Sequence, residues 1–599
     1  MCGVAGIFAY REAAAPVDAD ELLRMRESMR RRGPDGEGLW LSDACRAGFA
    51  HRRLAIIDLS DAAAQPMASA DGRYRIAFNG EIYNHRELKR ELQAAGCTFR
   101  TESDTEVLLQ LYATRGEAML PRLRGMYAFA VWDEREQRLF LARDSFGIKP
   151  LYYADGGGTL RFASQVKALL AGGGVQATPD AAGWAGFYIW GAVPEPLTTC
   201  EQVKALPAGA WLALTRGQTP VIGFHCSLAD EIGRAAVAPK VDAPDGEDLR
   251  RALEESVQAH LVADVPIGMF LSAGIDSALV ARLAARANPG LRSITLGFEE
   301  FRGGPRDETG EAEALAAELG TRHSTRWIGQ AEFVSAREAF IAAMDQPSID
   351  GLNTYLVSKV AAEAGMKVAL SGLGGDEFFG GYPSFRQVPA LARAMAWSAG
   401  VPALGRMFRA ATAAVFRGGG ASKYAGLLEY GASVAGAYLL RRAVYMPWEL
   451  ARIMGPEAAA EGLRRLGPGA TPESAPDDRA TSWAQVCTLE ACRYMRNMLL
   501  RDADWAAMAH GLEIRVPLVD TGVFRCVARG VAAGRPFLKE DLLKISHPRA
   551  SAVPRKRGFA VPMRSWLGGG RDTGGGEGSR RWALQVADLL GAGALGGAR

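Results

Sequence analysis

The second residue of the chain is the first one whose type and position could do chemistry. Cys2 follows the initiator methionine in MCGVAGIFAY, and its side chain is small enough for that methionine to be removed. Removal would leave a thiol beside a free α-amine, and an α-amine with a pKa of roughly 7.7–8.0 can act as a base for the thiol. The position also suits an ordinary buried, inert cysteine. Its position alone favours an inert cysteine. Whether Cys2 is a nucleophile depends on the motifs in the rest of the chain.

Two loops further along have the composition of a nucleotide-binding site. The loop in LSAGIDSALV, between a predicted strand and a predicted helix, carries Ser272, Gly274, Asp276 and Ser277. Small residues let backbone N–H groups approach an oxyanion, and a helix N-terminus adds free donors. The loop in LSGLGGDEFFGGY follows another predicted strand and carries Asp376. Asp276 and Asp376 could share Mg²⁺ bound to nucleotide phosphates, although either loop alone also fits a plain strand-to-helix turn.

The bulk composition indicates a globular protein of more than one domain. The 599 residues are too many for one core, and a hydrophobic content of 48% excludes a mostly disordered chain. The net charge of +3 is spread along the chain, which gives no electrostatic case for nucleic acid or a membrane surface. The cysteines and histidines lack metal-ligand spacing, and neither a signal peptide nor a bilayer-spanning stretch is recognisable. We therefore expect a cytoplasmic enzyme with small-molecule substrates; a homodimer is left open.

The pattern of predicted strands and helices differs between the first and second parts of the chain. Residues 1–210 show short strands with separate helices, which predicts an α+β domain. A loosely patterned segment at 211–246 is interpreted as a linker. Strands then alternate with helices, which predicts a parallel sheet covered on both faces, with its ligand site beyond the carboxyl ends of the strands. Past residue 385 the chain is mostly helical, and residues 568–599 are interpreted as a flexible Gly-rich tail.

The motifs, taken in order, resemble those of the glutamine-hydrolysing asparagine synthetases along nearly the whole chain, to about residue 567. The shared segments are MCGVAGIF, RRGPDGEG, AHRRLAIIDLS, FNGEIYN, ESDTEV, GMYAFAVWD, ARDSFGIKPLYY, LSAGIDS, SGLGGDEFFGGY and EIRVPLVD. The resemblance implies a class II glutaminase of the N-terminal-nucleophile type, an αββα sandwich, over residues 1–210. It implies an α/β ATP-pyrophosphatase synthetase domain with a helical C-terminal part over residues 247–567. It also overturns the interpretation of Cys2 as inert.

The resemblance assigns a glutaminase site around Cys2. In such enzymes the processed N-terminal cysteine attacks the side-chain amide of glutamine, forms a thioester and releases ammonia. By similarity, Asn79 and the backbone N–H of Gly80 form the oxyanion hole, where fixed donors lower the barrier by several kcal/mol. The glutamine would be held through its α-carboxylate by Arg53, with Arg52 as the rival, and through its α-ammonium by Glu81 and Asp104.

The resemblance assigns a second site to ATP. The family activates a carboxylic acid as an acyl-adenylate, releases pyrophosphate, and lets ammonia delivered from the first site attack the adenylate. The positions that match the pyrophosphate loop are Ser272, Gly274, Asp276 and Ser277, and those that match the adenosine contacts are Phe270, Leu296, Ser371 and Gly372. Asp276 and Asp376 match magnesium-associated aspartates. Lys539 matches a lysine that reaches the phosphates, although it could also be a plain surface lysine.

Two positions depart from the family pattern. Ala273 replaces the second residue of S-G-G-x-D-S, which introduces strain only if that position has a positive φ. Leu373 replaces the glutamate of S-G-E-G-x-D-E, which is implicated in forming the aspartyl-adenylate and in the ammonia step. Leucine can neither accept nor orient a proton. Either another group such as Glu377 or Asp350 takes over, or the acceptor is not aspartate.

Three functions compete on this sequence. The stretch DQPSIDGLNTY, where an acceptor pocket is expected, offers Asp345, Asp350 and Asn353 without naming a substrate. The leading hypothesis is asparagine synthesis from aspartate, glutamine and ATP. The second keeps the machinery but amidates another carboxylate such as a uronic acid, because some relatives with this leucine are associated with polysaccharide gene clusters. The third is a glutaminase whose synthetase-like domain is a non-catalytic binding module.

Overall fold

A computed structural model describes residues 2–237, 244–412, 419–467, 481–547, 561–562, 566 and 577–592. The strands of its first part are β1 (Gly3–Ala9), β2 (Gly36–Leu41), β3 (Ala47–Arg53), β4 (Met67–Ala68), β5 (Tyr74–Ile82), β6 (Gly125–Asp133), β7 (Arg138–Arg143), β8 (Tyr152–Gly156), β9 (Thr159–Ala163), β10 (Lys204–Ala205), β11 (Ala210–Thr215) and β12 (Val221–Phe224). The helices of this part are α1 (Ala19–Ser28), α2 (His85–Ala94), α3 (Asp104–Arg115), α4 (Val166–Gly172), α5 (Ala181–Trp190) and α6 (Leu228–Val237). The strands form two antiparallel sheets, in the orders β10-β8-β9-β1-β3-β2 and β12-β11-β7-β6-β5-β4.

The two antiparallel sheets stack face to face around a shared apolar layer. Val4 and Phe8 of β1 pack there against Ala128 and Trp132 of β6, and the Phe8 and Trp132 ring centroids are 4.9 Å apart. Helices α1 and α4 cover the outer face of the first sheet, and α2 and α3 cover that of the second. Because both faces are covered, β1 is buried along its whole length. The predicted αββα sandwich is confirmed.

The predicted linker at 211–246 is wrong over most of its length. Strand β11 pairs with β7, and β12 pairs with β11, so that the second sheet extends through residue 224. Helix α6 then packs into the core of the second part, where Leu228 and Ile232 are buried. The pattern was missed because β12 is an edge strand whose Val221 and Phe224 are exposed, so its sequence lacks a buried face. Residues 238–243 lie outside the described residues.

The second part is built on a parallel sheet, as predicted. Its strands are β13 (Ile267–Phe270), β14 (Arg292–Phe298), β15 (Arg322–Ile328), β16 (Val368–Leu370) and β17 (Glu513–Arg515). They lie in the order β15-β14-β13-β16-β17, and each neighbouring pair is parallel. The chain proceeds outward from β13 in one direction and later from β16 in the other, so the order reverses between these two central strands. In such sheets the ligand crevice lies at that point, beyond the carboxyl ends of the strands.

Helices surround the parallel sheet and make up most of the rest of the second part. Those before residue 467 are α7 (Gly246–His260), α8 (Ile275–Ala287), α9 (Thr309–Leu319), α10 (Gln330–Ala343), α11 (Leu352–Glu363), α12 (Gly375–Phe378), α13 (Ser384–Met395), α14 (Pro402–Thr412), α15 (Leu427–Tyr430), α16 (Val434–Arg442), α17 (Leu450–Met454) and α18 (Pro456–Leu466). The later ones are α19 (Ser482–Leu489), a π-helix (Glu490–Leu500), α20 (Arg501–Met508), α21 (Thr521–Ala532), α22 (Lys539–Ser546) and α23 (Glu577–Leu589). Within the described ranges, none of the helices combines the length and the apolar character needed to cross a membrane.

The predicted flexible tail at 568–599 contains an ordered helix. Trp582 and Val586 of α23 are buried, and Arg580 forms an ion pair with Glu449 at 2.8 Å. The glycines of GGGRDTGGGEG obscured the apolar spacing that comes after them in RRWALQVADLL. Residues 568–576 and 593–599 lie outside the described residues, so the prediction of a flexible segment is not tested there.

Candidate active sites

The Cys2 residue lies where the two antiparallel sheets meet. It directly precedes β1, and its backbone N–H donates a 2.8 Å hydrogen bond to Oδ1 of Asn79 on β5 of the opposite sheet. The side chain is buried, which raises the pKa of the Cys2 thiol, while the positive charge of the N-terminus acts in the opposite direction. A neutral thiol beside an amine is the resting state expected of a nucleophile that its own α-amine activates.

Asn79 and Gly80, the residues predicted to form an oxyanion hole, are adjacent on β5 next to Cys2. Oδ1 of Asn79 accepts from Cys2, whereas Nδ2 is buried and has no acceptor among the described residues. An unpaired buried donor is costly, so a native structure that retains one points to a ligand. Gly80 has a φ of +152°, and a Cβ there would lie 2.1 Å from the carbonyl oxygen of Met126, so only glycine fits. Both residues are thus shaped for an oxyanion beside the Cys2 thiol.

We expect the Asn79→Asp chain to hydrolyse glutamine about 10²–10³-fold more slowly than the unchanged chain, with KM nearly unchanged. Aspartate keeps the oxygen that accepts from Cys2 but replaces the unpaired donor with negative charge. The measurement is glutamate release under saturating glutamine. Asn84→Asp is the matched control, because the side chain of Asn84 bonds the backbone of Arg122 and Arg124 outside this pocket. An unchanged kcat for Asn79→Asp would remove Nδ2 from the mechanism.

The residues predicted to recognise glutamine line one cavity with the thiol. Its walls include Cys2, Arg53, Gly80, Glu81 and Asp104. The rival, Arg52, does not line it. Arg52 instead forms ion pairs with Glu27 and, at 2.7 Å, with Glu37. The alternation of β3 separates the two arginines onto opposite faces, which the sequence alone left open.

The two acidic residues of this cavity are deeply buried. Burial raises the pKa of Glu81, and the nearby Glu513 carboxylate raises it further. Burial also raises the pKa of Asp104, whose Oδ2 accepts the Ile82 N–H at 3.0 Å. A buried carboxylate gains most from a cation that arrives with the ligand. The pair is therefore suited to an α-ammonium group.

The structure adds an arginine from the second part of the chain that sequence reasoning missed. Nη2 of Arg515 lies 3.4 Å from Glu81, and its Nε donates a 2.6 Å hydrogen bond to Glu513. The carbonyl oxygen of the same residue accepts the N–H of Ser371, in the second nucleotide-type loop. Arg515 thus contacts both sites. It stands in the shared segment EIRVPLVD, but its role required knowing which strand faces the first domain.

A second missed residue holds the backbone of the candidate nucleophile. Nε of Arg32 donates to the carbonyl oxygen of Cys2 at 3.2 Å, and its guanidinium forms a buried bidentate pair with Asp504 at 2.6 and 3.1 Å. Asp504 lies on α20, so the second domain helps to position Cys2. The segment RRGPDGEG contained the arginine, yet nothing in the sequence indicated its partner.

Arg515→Met should destabilise the protein by about 3–5 kcal/mol, because it leaves the Glu513 carboxylate buried without its main partner. We expect a lower melting temperature of the second domain in calorimetry. Arg302→Met is the control, since the ion pair between Arg302 and Glu299 is exposed and worth little. Equal melting temperatures for the two variants would show that Arg515 does not stabilise the protein as expected.

A second cavity, of about 960 Å³, opens at the switch point of the parallel sheet. Every residue predicted to contact the nucleotide lines it: Phe270, Ser272, Gly274, Asp276, Ser277, Leu296, Ser371, Gly372, Asp376 and Lys539. The two loops follow β13 and β16, the central strands. Their close approach needs glycine, because a Cβ at Gly372 would lie 2.7 Å from the backbone nitrogen of Ser277. The geometry is that of a nucleotide crevice.

The first loop is held in shape by its own serine side chains at the start of α8. Oγ of Ser277 accepts the Ser272 N–H at 2.9 Å and donates to the carbonyl of Phe270 at 3.1 Å. Oγ of Ser272 accepts the N–H of Gly274 at 3.3 Å. The non-glycine residues with positive φ in the described chain are Cys45, Asp58 and Gln137, so Ala273 is not strained. The replacement of the family glycine by Ala273 therefore adds little backbone strain to the loop.

Lys539 joins the two loops through their aspartates. Its ammonium forms an ion pair with Asp276 and another, at 2.9 Å, with Asp376. Burial opposes the charge, but the two carboxylates hold the pKa of Lys539 above its ordinary value. One cation thus lies within reach of both carboxylates. A Cβ at Gly375 would collide with the Asp276 carboxylate, and a Cβ at Gly381 would collide with the Asp376 carboxylate, which explains why both positions are glycine.

The acidic residues considered for the role of the family glutamate differ in whether they line the nucleotide cavity. Leu373 lines the nucleotide cavity and packs against the apolar core. Glu377 is buried outside that lining and accepts from the Tyr382 hydroxyl at 2.7 Å; burial and then Asp376 raise its pKa to about 7. Asp345 accepts the first N–H groups of α4 and is a cap. Asp350 and Asn353 do line the cavity, so of the two proposed replacements only Asp350 borders the nucleotide site.

An antiparallel sandwich with a cysteine at its first strand, joined to a parallel-sheet domain with a nucleotide crevice, defines a two-domain amidotransferase. A family model described as a glutamine amidotransferase domain matches residues 1–224, and one described as asparagine synthase matches residues 248–573. The glutamine-hydrolysing asparagine synthetase 1 of Bacillus subtilis is 32% identical over 585 residues, covering 95% of this chain and 88% of that protein. A putative glutamine-hydrolysing asparagine synthetase of Mycobacterium tuberculosis is 35% identical over 609 residues, covering 95% and 89%. The chain belongs to the glutamine-hydrolysing asparagine synthetase family.

Proposed function

We propose that this chain is an asparagine synthase that uses glutamine as its nitrogen donor. It converts aspartate, ATP and glutamine into asparagine, glutamate, AMP and pyrophosphate. We assign glutamine hydrolysis to residues 1–224 and the ATP-dependent step to residues 247–567. The location we propose is the cytoplasm, where free ATP and glutamine are both present.

One observation carries the proposal: two separate cavities each contain a complete set of reacting groups. The glutamine cavity is lined by a nucleophile, an arginine and two carboxylates. The unpaired amide donor of Asn79 lies behind that lining, and its side-chain oxygen is hydrogen-bonded to the nucleophile's backbone. The nucleotide cavity has two glycine-rich loops, two aspartates and a lysine at the switch point of the parallel sheet. A non-catalytic binding module would have no need of the second set. This supports the ligase over the third hypothesis.

In the first cavity, Cys2 acts as the nucleophile. Its α-amine takes the thiol proton, and the sulfur attacks the side-chain carbonyl carbon of glutamine. Nδ2 of Asn79 and the N–H of Gly80 donate to the oxygen on which negative charge develops. As that intermediate collapses, the α-ammonium returns the proton to the leaving nitrogen, the C–N bond breaks and ammonia departs. A thioester remains, which water hydrolyses to glutamate and the free thiol. Arg53 holds the substrate carboxylate.

In the second cavity, the loop residues around Ser272 and the Lys539 ammonium bind the phosphates of ATP. The acceptor carboxylate attacks the α-phosphorus, and pyrophosphate leaves. Ammonia then attacks the activated carbonyl carbon and AMP leaves. Lys539 stabilises the negative charge that builds on the departing pyrophosphate.

The aspartates of the nucleotide cavity fit Mg²⁺. Both lie within reach of a single cation, as the Lys539 ion pairs show. Mg²⁺ is usually held by one or two carboxylates together with substrate phosphates. When bound, the ion neutralises phosphate charge at the reacting centre.

A second candidate function is amidation of another carboxylic acid, such as a uronic acid, by the same machinery. Leu373 favours it, because an apolar side chain lines the nucleotide cavity where the family has a glutamate. Of the two groups considered as replacements for that glutamate, Asp350 lines the cavity and Glu377 does not. The two candidates differ only in the acceptor.

The deciding experiment is pyrophosphate release from ATP, with Mg²⁺ and glutamine, across a panel of carboxylic acids. We expect aspartate to drive release and asparagine to appear. If aspartate fails and a uronic acid succeeds, the second function holds. If no acid drives release while ammonia is still formed from glutamine, the chain is a glutaminase with a non-catalytic module.

A further inference from the structure

A third cavity, of about 420 Å³, adjoins the nucleotide cavity and shares Asp350 and Tyr494 with it. We call it the basic chamber, because its lining includes Lys423, Arg442, Arg493 and Arg580, together with the rings of Trp190 and Tyr438. Its parts come from α5, from α16, from the π-helix and from α23, so it exists only in the assembled chain. Nothing in the proposed chemistry so far uses it.

The charges of the basic chamber are only partly compensated. Arg442 is paired with Glu490 at 2.6 Å, and Arg580 with Glu449 at 2.8 Å. Lys423 donates to the carbonyl oxygen of Arg441 at 3.2 Å and has no carboxylate at ion-pair distance among the described residues. Burial and the Arg580 guanidinium lower the pKa of Lys423 to about 8, so the ammonium is still mostly charged near neutral pH. Unneutralised positive charge therefore faces the chamber.

The aromatic wall offers a further unused donor. Nε1 of Trp190 is buried and has no acceptor among the described residues, while the ring stacks under the Arg493 guanidinium at 5.0 Å. Ile349 and Met498 add apolar surface beside it. A donor, an ammonium and apolar walls lining one cavity suit an organic anion rather than a hydrated inorganic one.

We propose that the basic chamber binds a second anionic group of the acceptor acid, the one that is not activated. This rests on the proposed function. The acceptor lies across the junction of the two cavities, with its reacting carboxylate toward the nucleotide and its other anionic group at Lys423 and Trp190. Where the acceptor is an α-amino acid, its ammonium faces Asp350, the half-buried carboxylate at the junction.

The proposal names a substrate class. The acceptor carries at least two anionic groups, as aspartate does through its α-carboxylate and β-carboxylate. A simple monomeric uronic acid has a single carboxylate and leaves the chamber charge unmatched. The chamber thus selects against monocarboxylates by leaving the Lys423 ammonium without a counter-charge.

The first test measures binding and needs no turnover. Isothermal titration of the full chain, with a non-hydrolysable ATP analogue and Mg²⁺ present, compares succinate with butyrate, which has the same chain length and one carboxylate. We expect succinate to bind at least tenfold more tightly, and Lys423→Met to abolish the difference. Trp190→Phe keeps the ring, removes the donor and should weaken succinate binding severalfold. Lys204→Met, an exposed lysine on β10, is the matched control.

The second test uses pyrophosphate release with whichever acid the panel identifies. Lys423→Met should raise the KM for that acid at least tenfold and leave the KM values for ATP and glutamine unchanged. Equal binding of succinate and butyrate, unaltered succinate binding in Lys423→Met, or an unchanged acceptor KM overturns the proposal. Absence of release with every acid defeats the proposed function instead, since the titration is independent of turnover.

Discussion

Replacing Cys2 with alanine is expected to abolish product formation from glutamine and to leave product formation from ammonium chloride intact. Because we propose the thiol as the nucleophile in the glutamine cavity, the loss should reach at least about 10³-fold in glutamate release. The two cavities share no lining residue, so the ATP-dependent step keeps all its groups. The measurement is amide product with each nitrogen source at saturating ATP.

Cys97→Ala is the matched control for this variant, because Cys97 is a half-buried thiol of the same domain, packed against the core beside the second sheet. Its glutamine-dependent rate should equal that of the unchanged chain. Intact mass should also show that Met1 is removed, since Cys2 must carry a free amine. Loss of both nitrogen sources in Cys2→Ala, or full activity with glutamine, would contradict the assignment of two separate sites.

Replacing Lys539 with methionine is expected to reduce pyrophosphate release by about 10²–10³-fold with either nitrogen source. The ammonium joins the two phosphate-binding loops through Asp276 and Asp376, and methionine keeps the length of the side chain without its charge. Glutamine hydrolysis measured without ATP should be unchanged, because it occurs in the other cavity. Lys539→Arg keeps the charge and should recover part of the rate.

The control for Lys539 is Lys359→Met on α11, a partly exposed lysine whose ion pairs with Glu332 and Glu363 lie outside the nucleotide cavity. Its pyrophosphate release should match that of the unchanged chain. Normal release in Lys539→Met would show that the lysine is only a bridge between the two aspartates. Together with the Cys2 variant, this one dissects the enzyme into its two half-reactions.

The sequence-based predictions were most accurate where local pattern and chemistry agree. The strands that lead into the two nucleotide-type loops, the α+β character of the first part and the parallel sheet of the second all follow from short-range periodicity. The αββα sandwich was implied by the family resemblance. The same approach failed for residues 211–224, because edge strand β12 exposes Val221 and Phe224 and so lacks a buried face. It failed again for α23, whose apolar face lies directly behind a run of glycines.

The site residues that sequence reasoning missed have partners far away in the chain. Arg32 bonds the backbone of Cys2 and pairs with Asp504 on α20, and Arg515 reaches Glu81 from β17. Each arginine is charged and yet almost completely buried, which no propensity scale predicts. Only the packing of the two domains supplies the carboxylates that offset the free-energy cost of such burial.

The sequence by itself determined the reacting groups: a cysteine that can become N-terminal, an Asn-Gly pair, two loops rich in small residues and the aspartates within them. These are local features, since residue type and short spacing carry their chemistry. The family resemblance already favoured Arg53 over Arg52, and the structure places Arg53 in the lining of the glutamine cavity. Tertiary structure alone placed Asp350 and not Glu377 in the lining of the nucleotide cavity, and grouped four cations around a chamber beside it. The reason is physical: which face of a strand or helix is covered, and by what, is settled by contacts between segments hundreds of residues apart.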